Sequence, residues 1–426
     1  MKLRIFSLLF PFLLSAQGYT SYFTGSPIDK VTTTEFGVCM MGGATEHDNA
    51  MRWLLQKANG GDVVVLRSSG SNGYNNYLYS ELSVTVNSVE TLVITSVAGA
   101  SNPYVLDKVS KAEMIWFAGG DQWNYISYFK NNALEDVINN HINVKHAPIG
   151  GTSAGMAILG SAYFSAQNGS VTSAQALTNP YNTNVTLGHN DFLEVPFMNN
   201  VITDTHYDNP DRRGRQAAFI ARLKNDSAMN VNGIACNEYV AVCIDDHGKA
   251  EVFGDYPNYQ EFAYFIQGNC NNVGNVNTCQ PNTQLSWNYP DGALKVYKVP
   301  GTMTGINYFN VDNWQNAIGS GGSWENWSIN NGTLTTPSGL APDCALATTT
   351  FDDDFVQITP NPFAERFVVN GIESGKLNIY DSQGRHVLSA IFKNECKVNT
   401  TSLAKGLYII KIESKGKTTV RKVLKN

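Results

Sequence analysis

Pro148 to Gly160, PIGGTSAGMAILG, holds the residues with the clearest chemical potential. Ser153 sits in Gly151-Thr152-Ser153-Ala154-Gly155, a G-x-S-x-G spacing. A nucleophilic serine must carry its hydroxyl on a tight strand-to-helix turn, and flanking glycines let strand and helix pack closely enough to form one. The hydroxyl is a weak nucleophile at neutral pH. It needs a base within hydrogen-bond reach and N–H donors for the tetrahedral oxyanion. In a chain with 37 glycines the spacing alone has little specificity. The competing reading is a structural turn serine.

Of the seven histidines, His206 stands at the end of MNNVITDTHYD, an apolar run that reads as a buried strand. His47 follows a glycine loop, His189 lies in a polar stretch and His247 falls near a turn. Glu238, Asp204 and Asp245 are the acids available to orient a base. Arg213 and Arg215 stand near the start of the helical stretch DRRGRQAAFIARL. Their guanidinium groups suit bidentate binding of a substrate carboxylate, or else form a solvated helix face. Gln122, in GGDQ, is placed to contact substrate, or else is an exposed residue at a helix start capped by Asp121. No C-x-x-C or His/Cys cluster points to zinc, and neither metal nor cofactor is expected. Asp352-Asp353-Asp354 reads as a solvated charge run rather than a calcium site.

The elements around these residues alternate. EFGVCMMGGA, GDVVVLRSS, VETLVITSV, VSKAEMIWFAGGD and the segment from Asn143 to Ile149 read as strands. HDNAMRWLLQKA and QWNYISYFKNNALEDVINNHI have helical spacing. Short continuous apolar strands separated by helices predict a parallel sheet covered on both faces. Sites in such sheets lie beyond the carboxyl ends of the strands. Gly42-Gly43, Gly119-Gly120 and Gly150-Gly151 all fall at such ends, which favours an active-site Ser153. His206 is expected at the same sheet edge. Ser161 to Asn190 is expected to form loops over the strand ends. NGIACNEYVAVCIDDHGKAEVFG reads as a β-hairpin with Asp246-His247-Gly248 near its turn. Tyr256 to Asn331 should add short strands and loops.

The chain has 426 residues, 42% of them hydrophobic and only 15% charged, with a net charge of −6. That length suggests two or three domains. The acidic balance argues against nucleic acid, whose binding needs a basic face. MKLRIFSLLFPFLLSAQG, residues 1–18, reads as a secretory signal peptide. No other run approaches the roughly 20 apolar residues of a membrane span. The seven cysteines are odd in number, and Cys270 with Cys279, bracketing an Asn/Gly loop, is the expected disulfide of an exported chain. Residues 19–334 form the expected α/β domain. Residues 335–355 form a Pro/Ser/Thr/Asp-rich linker. Residues 356–426, with alternating strands and tight turns, form a small basic β-sandwich.

Two resemblances add to this. GVCMMGGATEHDNAM, IWFAGGDQ, GGTSAGMAI, DTHYDNPDRRGR and GIACNEYVAV, in that order over residues 34 to about 310, resemble the cyanophycinase and dipeptidase E family of serine peptidases. The resemblance implies a flavodoxin-like, glutamine-amidotransferase-like α/β fold. It implies Ser153 as nucleophile, His206 as base, Glu238 as orienting acid, and backbone N–H groups of Gly120 and Ala154 as oxyanion donors. The chain departs from the cyanophycinase pattern by residues inserted around Asn209-Pro210 and by Ala218 where a third arginine would stand. PNPF, LNIYDSQGRHV and LAKGLYIIKI with a basic end resemble the C-terminal sorting domain of the type IX secretion system of Bacteroidetes-type bacteria. That implies handling by the type IX machinery, and release or surface attachment after passage via the periplasm. The expected function is therefore exported serine-type hydrolysis of peptide bonds. A glutamine-amidotransferase-like enzyme normally uses cysteine where Ser153 stands. A non-catalytic surface binding protein on a decayed site is the alternative from another class.

Overall fold

The computed structural model describes residues 17–270, 276–344, 357–370, 374–393, 396–414 and 417–426. Residues 1–16 of the signal-peptide reading and the Asp352-Asp353-Asp354 run lie outside them. Contacts divide the chain into two compact units, Met1–Cys344 and Ala345–Asn426.

The first unit holds two sheets among its described residues. The centre of the larger one is parallel, in the order Ser88–Ile94, Asp62–Arg67, Met114–Phe117, Ile149–Thr152 and Val38–Met41. Antiparallel strands flank it: Tyr19–Gly25 at one end, Ala241–Ile244 and Lys249–Phe253 at the other. The apolar runs explain this position. Val63, Val64, Val65 and Leu66 are all buried, as only a strand covered on both faces requires. Each such side chain contributes roughly 1.5–3 kcal/mol by leaving water. Helices Asp48–Lys57, Pro103–Lys111, Gln122–Phe129 and Ala133–Asn143 supply the cover, and each buries apolar side chains.

Several boundaries differ from the sequence reading. The strand before Ser153 is Ile149–Thr152, and Asn143 closes a helix instead. The single helix expected after Asp121 is two, broken at Lys130–Asn132, where Asn131 has φ 59° and Asn132 caps the second helix. The polar stretch Ser161 to Asn190 contains two strands, Ala162–Phe164 and Leu187–His189, and a helix, Ser173–Thr178.

The larger difference is the second sheet. Val201–Asp204 does not join the Ser153 sheet. It pairs in parallel with Asn232–Cys236 and with Ala162–Phe164. Phe262–Gly268, Leu294–Pro300 and Ser323–Asn330 extend that sheet antiparallel. The expected hairpin is therefore split. Asn232–Cys236 lies in the second sheet, the chain crosses over Asn237–Val240, and Ala241–Ile244 with Lys249–Phe253 forms a hairpin in the first. Asp245 closes that hairpin by accepting from the N–H groups of His247 and Lys249.

The cysteine expectation is corrected. Cys270 is bonded to Cys344, and Cys279 is a free buried thiol. Nearness in sequence misled: Cys279 packs with Leu285, Trp287 and Trp327 in the apolar core of the second sheet.

The Ala345–Asn426 unit consists of a three-stranded and a four-stranded antiparallel sheet. Phe363, Phe367, Val369, Leu377, Ile379, Ile410 and Ile412 form its core. Among the described residues no helix is long and apolar enough to cross a membrane.

Candidate active site

Ser153 lies between Ile149–Thr152 and the short helix Ala154–Ala157, with φ 50° and ψ −115°. An L-residue reaches such a conformation only when its surroundings impose it. Here they do: the Ser153 N–H donates to Met41 O at 3.0 Å, and a Cβ on Gly155 would stand 2.2 Å from Phe117 O. Glycine is required there, so the helix can press against the neighbouring strand and lift the serine out of the turn.

The base arrives from the second sheet. Two residues past Val201–Asp204, His206 has φ 46°, and its N–H donates to Gly42 O at 2.7 Å. Gly43 leaves room for the imidazole, since a Cβ there would lie 2.3 Å from His206 Cε1. Ser153 Oγ and His206 Nε2 are 2.8 Å apart. His206 Nδ1 stands 2.6 Å from Glu238 Oε1. The His206 hydrogen bond holds the Glu238 carboxyl below its ordinary pKa, with smaller help from Asn209 and Arg212. An ionised carboxylate only accepts, so Nδ1 donates and the neutral ring leaves Nε2 to accept from the serine. The other acids are engaged elsewhere. Asp204 is paired with Arg215, and Asp245 holds its turn. Of the other histidines, His189 Nε2 meets Ser227 Oγ and His247 Nδ1 meets Asp246.

Gly119 and Gly120 follow Met114–Phe117, beside the serine: a Cβ on Gly119 would be 3.5 Å from Ser153 Cβ. Ala154 begins its helix, where an N–H has no intrahelical acceptor. These are the two expected oxyanion donors.

The substrate-binding expectations fare differently. Gln122 Nε2 donates to Phe164 O at 2.7 Å, tying its helix to the second sheet. Arg213 forks onto Asp211, with contacts of 2.9 and 2.8 Å. Arg215 is buried, its side chain 4% exposed and paired with Asp204 at 5%. It also lies over the rings of Phe164 and Phe219. Arg215 is thus a correction to the substrate-facing reading: a guanidinium enclosed with its own carboxylate is a packing element of the strand that carries His206.

Sequence reasoning missed three residues. Asn209, in the inserted segment, donates to Glu238 Oε2 at 3.2 Å. Asp208 Oδ1 accepts from the Glu238 N–H at 3.0 Å. Arg212 Nη1 donates to Thr205 O at 3.0 Å. Their closeness to His206 in sequence was the available signal.

The comparisons with known proteins agree with this geometry. Residues 65–252 match the model of peptidase family S51. Residues 357–426 match that of the secretion system C-terminal sorting domain. The first unit therefore carries a family S51 peptidase, and the second an export-sorting domain of the type IX kind. Among solved structures, the chain is similar to a peptidase from an acI-B1 actinobacterium, at 14% identity and TM-score 0.39, over 54% of this chain and 94% of that one. It is also similar to a peptidase E-like protein from Listeria monocytogenes EGD-e, at 15% identity and TM-score 0.33, over 51% and 97%. No curated protein sequence matches the chain.

Proposed function

We propose that the chain is an exported serine peptidase acting through an acyl-enzyme on Ser153. The observation that carries the reading is the hydrogen-bonded series Ser153–His206–Glu238 joining the two sheets. Ser153 Oγ attacks the scissile carbonyl carbon while His206 Nε2 takes its proton. The oxyanion accepts hydrogen bonds from the N–H groups of Ala154 and Gly120. Collapse expels the amine, which takes the proton from His206 and leaves an ester on Ser153. Water, deprotonated by the same imidazole, then releases the acid. Glu238 keeps the imidazole in the tautomer that accepts from serine and stabilises the imidazolium.

Residues 1–18 serve as signal peptide, 335–355 as linker and 356–426 as the part handled by the secretion machinery. The route runs via the periplasm to the cell surface or medium. A non-catalytic binding protein is disfavoured by the intact hydrogen-bonded series. A fluorophosphonate probe tests the reading. Expected is covalent labelling at Ser153 that is lost in Ser153→Ala. An unlabelled, folded protein would instead support the binding-protein alternative.

A further inference from the structure

The three arginines that follow His206 all have acceptors: Arg212 on Thr205 O, Arg213 on Asp211 and Arg215 on Asp204. The other flank of the imidazole is acidic. Gly43, packed against the ring, leads into Thr45-Glu46-His47-Asp48. That segment lines a pocket of about 340 Å³ with Tyr239, Asp255, Tyr259 and Glu261. Tyr239 follows Glu238 in the chain, so the pocket adjoins the triad. Tyr239 and Tyr259 are 47% and 63% exposed. Arg52, also on its lining, is engaged by Asp48 at 3.3 Å.

Glu46 is the innermost of these carboxylates. Tyr74 donates to it, and it lies beside Thr152, the residue before the nucleophile. Thr152 is 4% exposed, and its hydroxyl has no hydrogen-bond partner. Both ring nitrogens of His47, in the same wall, are shielded from solvent and likewise lack a hydrogen-bond partner. Burial raises the pKa of Glu46 and of Glu261. Carboxyls so placed gain most from an incoming cation, and unpartnered polar groups beside them are left for a ligand to satisfy.

We infer that the site takes peptides carrying a basic group, ammonium or guanidinium, next to the scissile bond, and that Glu46 is the residue that reads it. Asp255 and Glu261 add to the field, and Tyr239 and Tyr259 flank the group's aliphatic stem. This rests on Ser153 being the nucleophile. It replaces the anionic substrate that free arginines would have selected. A charge-assisted hydrogen bond at such a site supplies about tenfold to a hundredfold in specificity.

The test offers the full-length protein peptides that differ at one position. Lysine or arginine is set against norleucine or citrulline and against glutamate, each with a free and an acetylated amino terminus. Expected is a kcat/KM about tenfold to a hundredfold higher for the basic peptides, carried mainly by KM. That ratio collapses in Glu46→Gln and narrows in Asp255→Asn. A preference that follows the side chain, or one that follows the free terminus, supports the inference and identifies the source of the charge. Equal or better cleavage of neutral or acidic peptides overturns it, as does a preference untouched by both substitutions. If Glu46→Gln fails to fold, Asp255→Asn decides alone. Fluorophosphonate labelling separates the two readings. A protein that labels at Ser153 without a basic preference loses only this inference, whereas one that does not label loses the serine mechanism and the inference with it.

Discussion

The Met1–Cys344 unit distorts its backbone and buries charge, whereas the Ala345–Asn426 unit does little of the first and turns apolar side chains outward. Among the described residues, every non-glycine residue with positive φ lies in the first unit, Ser153 and His206 included. That unit also buries Glu90, Glu113, Asp204 and Arg215. The second unit keeps positive φ for glycines such as Gly384 and Gly406. On its strands Ile391 is 87% exposed and Val420 54%. The contrast follows from what each must do. A reacting serine and base have to be held where an unconstrained chain would not put them, so the surrounding structure over-determines them. A sorting domain has to be recognised from outside, and regular strands with apolar outward positions suffice for that.

The sharpest way to break the comparison is to remove the strained serine's hydroxyl. Ser153→Ala should lower kcat by about a thousandfold to a millionfold, leaving the melting temperature nearly unchanged. A residual rate within tenfold of wild type would mean that the strained turn serves the fold rather than catalysis. Glu238→Gln comes next, with an expected loss in kcat of roughly a hundredfold to ten-thousandfold. The pH profile checks the same residue. Its folded pKa is depressed, so the carboxylate and its share of stability persist above the unfolded glutamate value. Both are lost as pH falls through the lower folded value. The acid limb of kcat/KM should therefore steepen there in the wild type and be absent in Glu238→Gln.

Buried charge is the second half of the contrast. Arg215→Ala strands Asp204 inside the protein and should cost about 3–5 kcal/mol of stability, read from denaturant unfolding. Because Asp204 stands two residues before His206, kcat should fall too. Arg213→Ala removes a pair whose side chains are 35% and 51% exposed, and should cost under about 1 kcal/mol. Equal losses would show that exposure does not separate the two pairs. Cys344→Ser opens a bond spanning 74 residues. It should cost about 4 kcal/mol by freeing the unfolded chain.

How much of this was legible in the sequence depends on the range of the interaction. The parallel core was legible because runs such as Val63 to Leu66 are buried on both faces, and burial of that kind is written in consecutive residues. Ser153 was legible because its turn is made by its own neighbours, Gly151 and Gly155. The second sheet was not. Val201–Asp204 has the same apolar character whichever sheet it joins, and its pairing with Asn232–Cys236 is settled by packing across roughly thirty residues of chain. Arg215 was misread for a related reason. A guanidinium near a helix start has the same local signature whether it faces solvent or a buried carboxylate, and the deciding partner, Asp204, lies on another element. Cys344 was invisible as the partner of Cys270 because the chain between them forms two strands before returning.

The smallest expected effect on catalysis comes from removing the second unit altogether. Every residue in the hydrogen-bonded series, both oxyanion donors and the acidic pocket belong to Met1–Cys344. The core of Ala345–Asn426 is made only of its own side chains, from Phe363 to Val423. A chain ending after Cys344 retains the Cys270 partner and should hydrolyse peptides with kcat/KM within about twofold of the full-length protein. It should also keep its melting temperature, because the first unit's core is complete without the second. Export should fail, with the truncated enzyme retained in the cell while the full chain reaches the surface or medium. A large drop in purified activity, with near-wild-type unfolding, would show that the sorting unit takes part in the reaction. Normal export of the truncated chain would show that residues 357–426 are not what the secretion machinery reads.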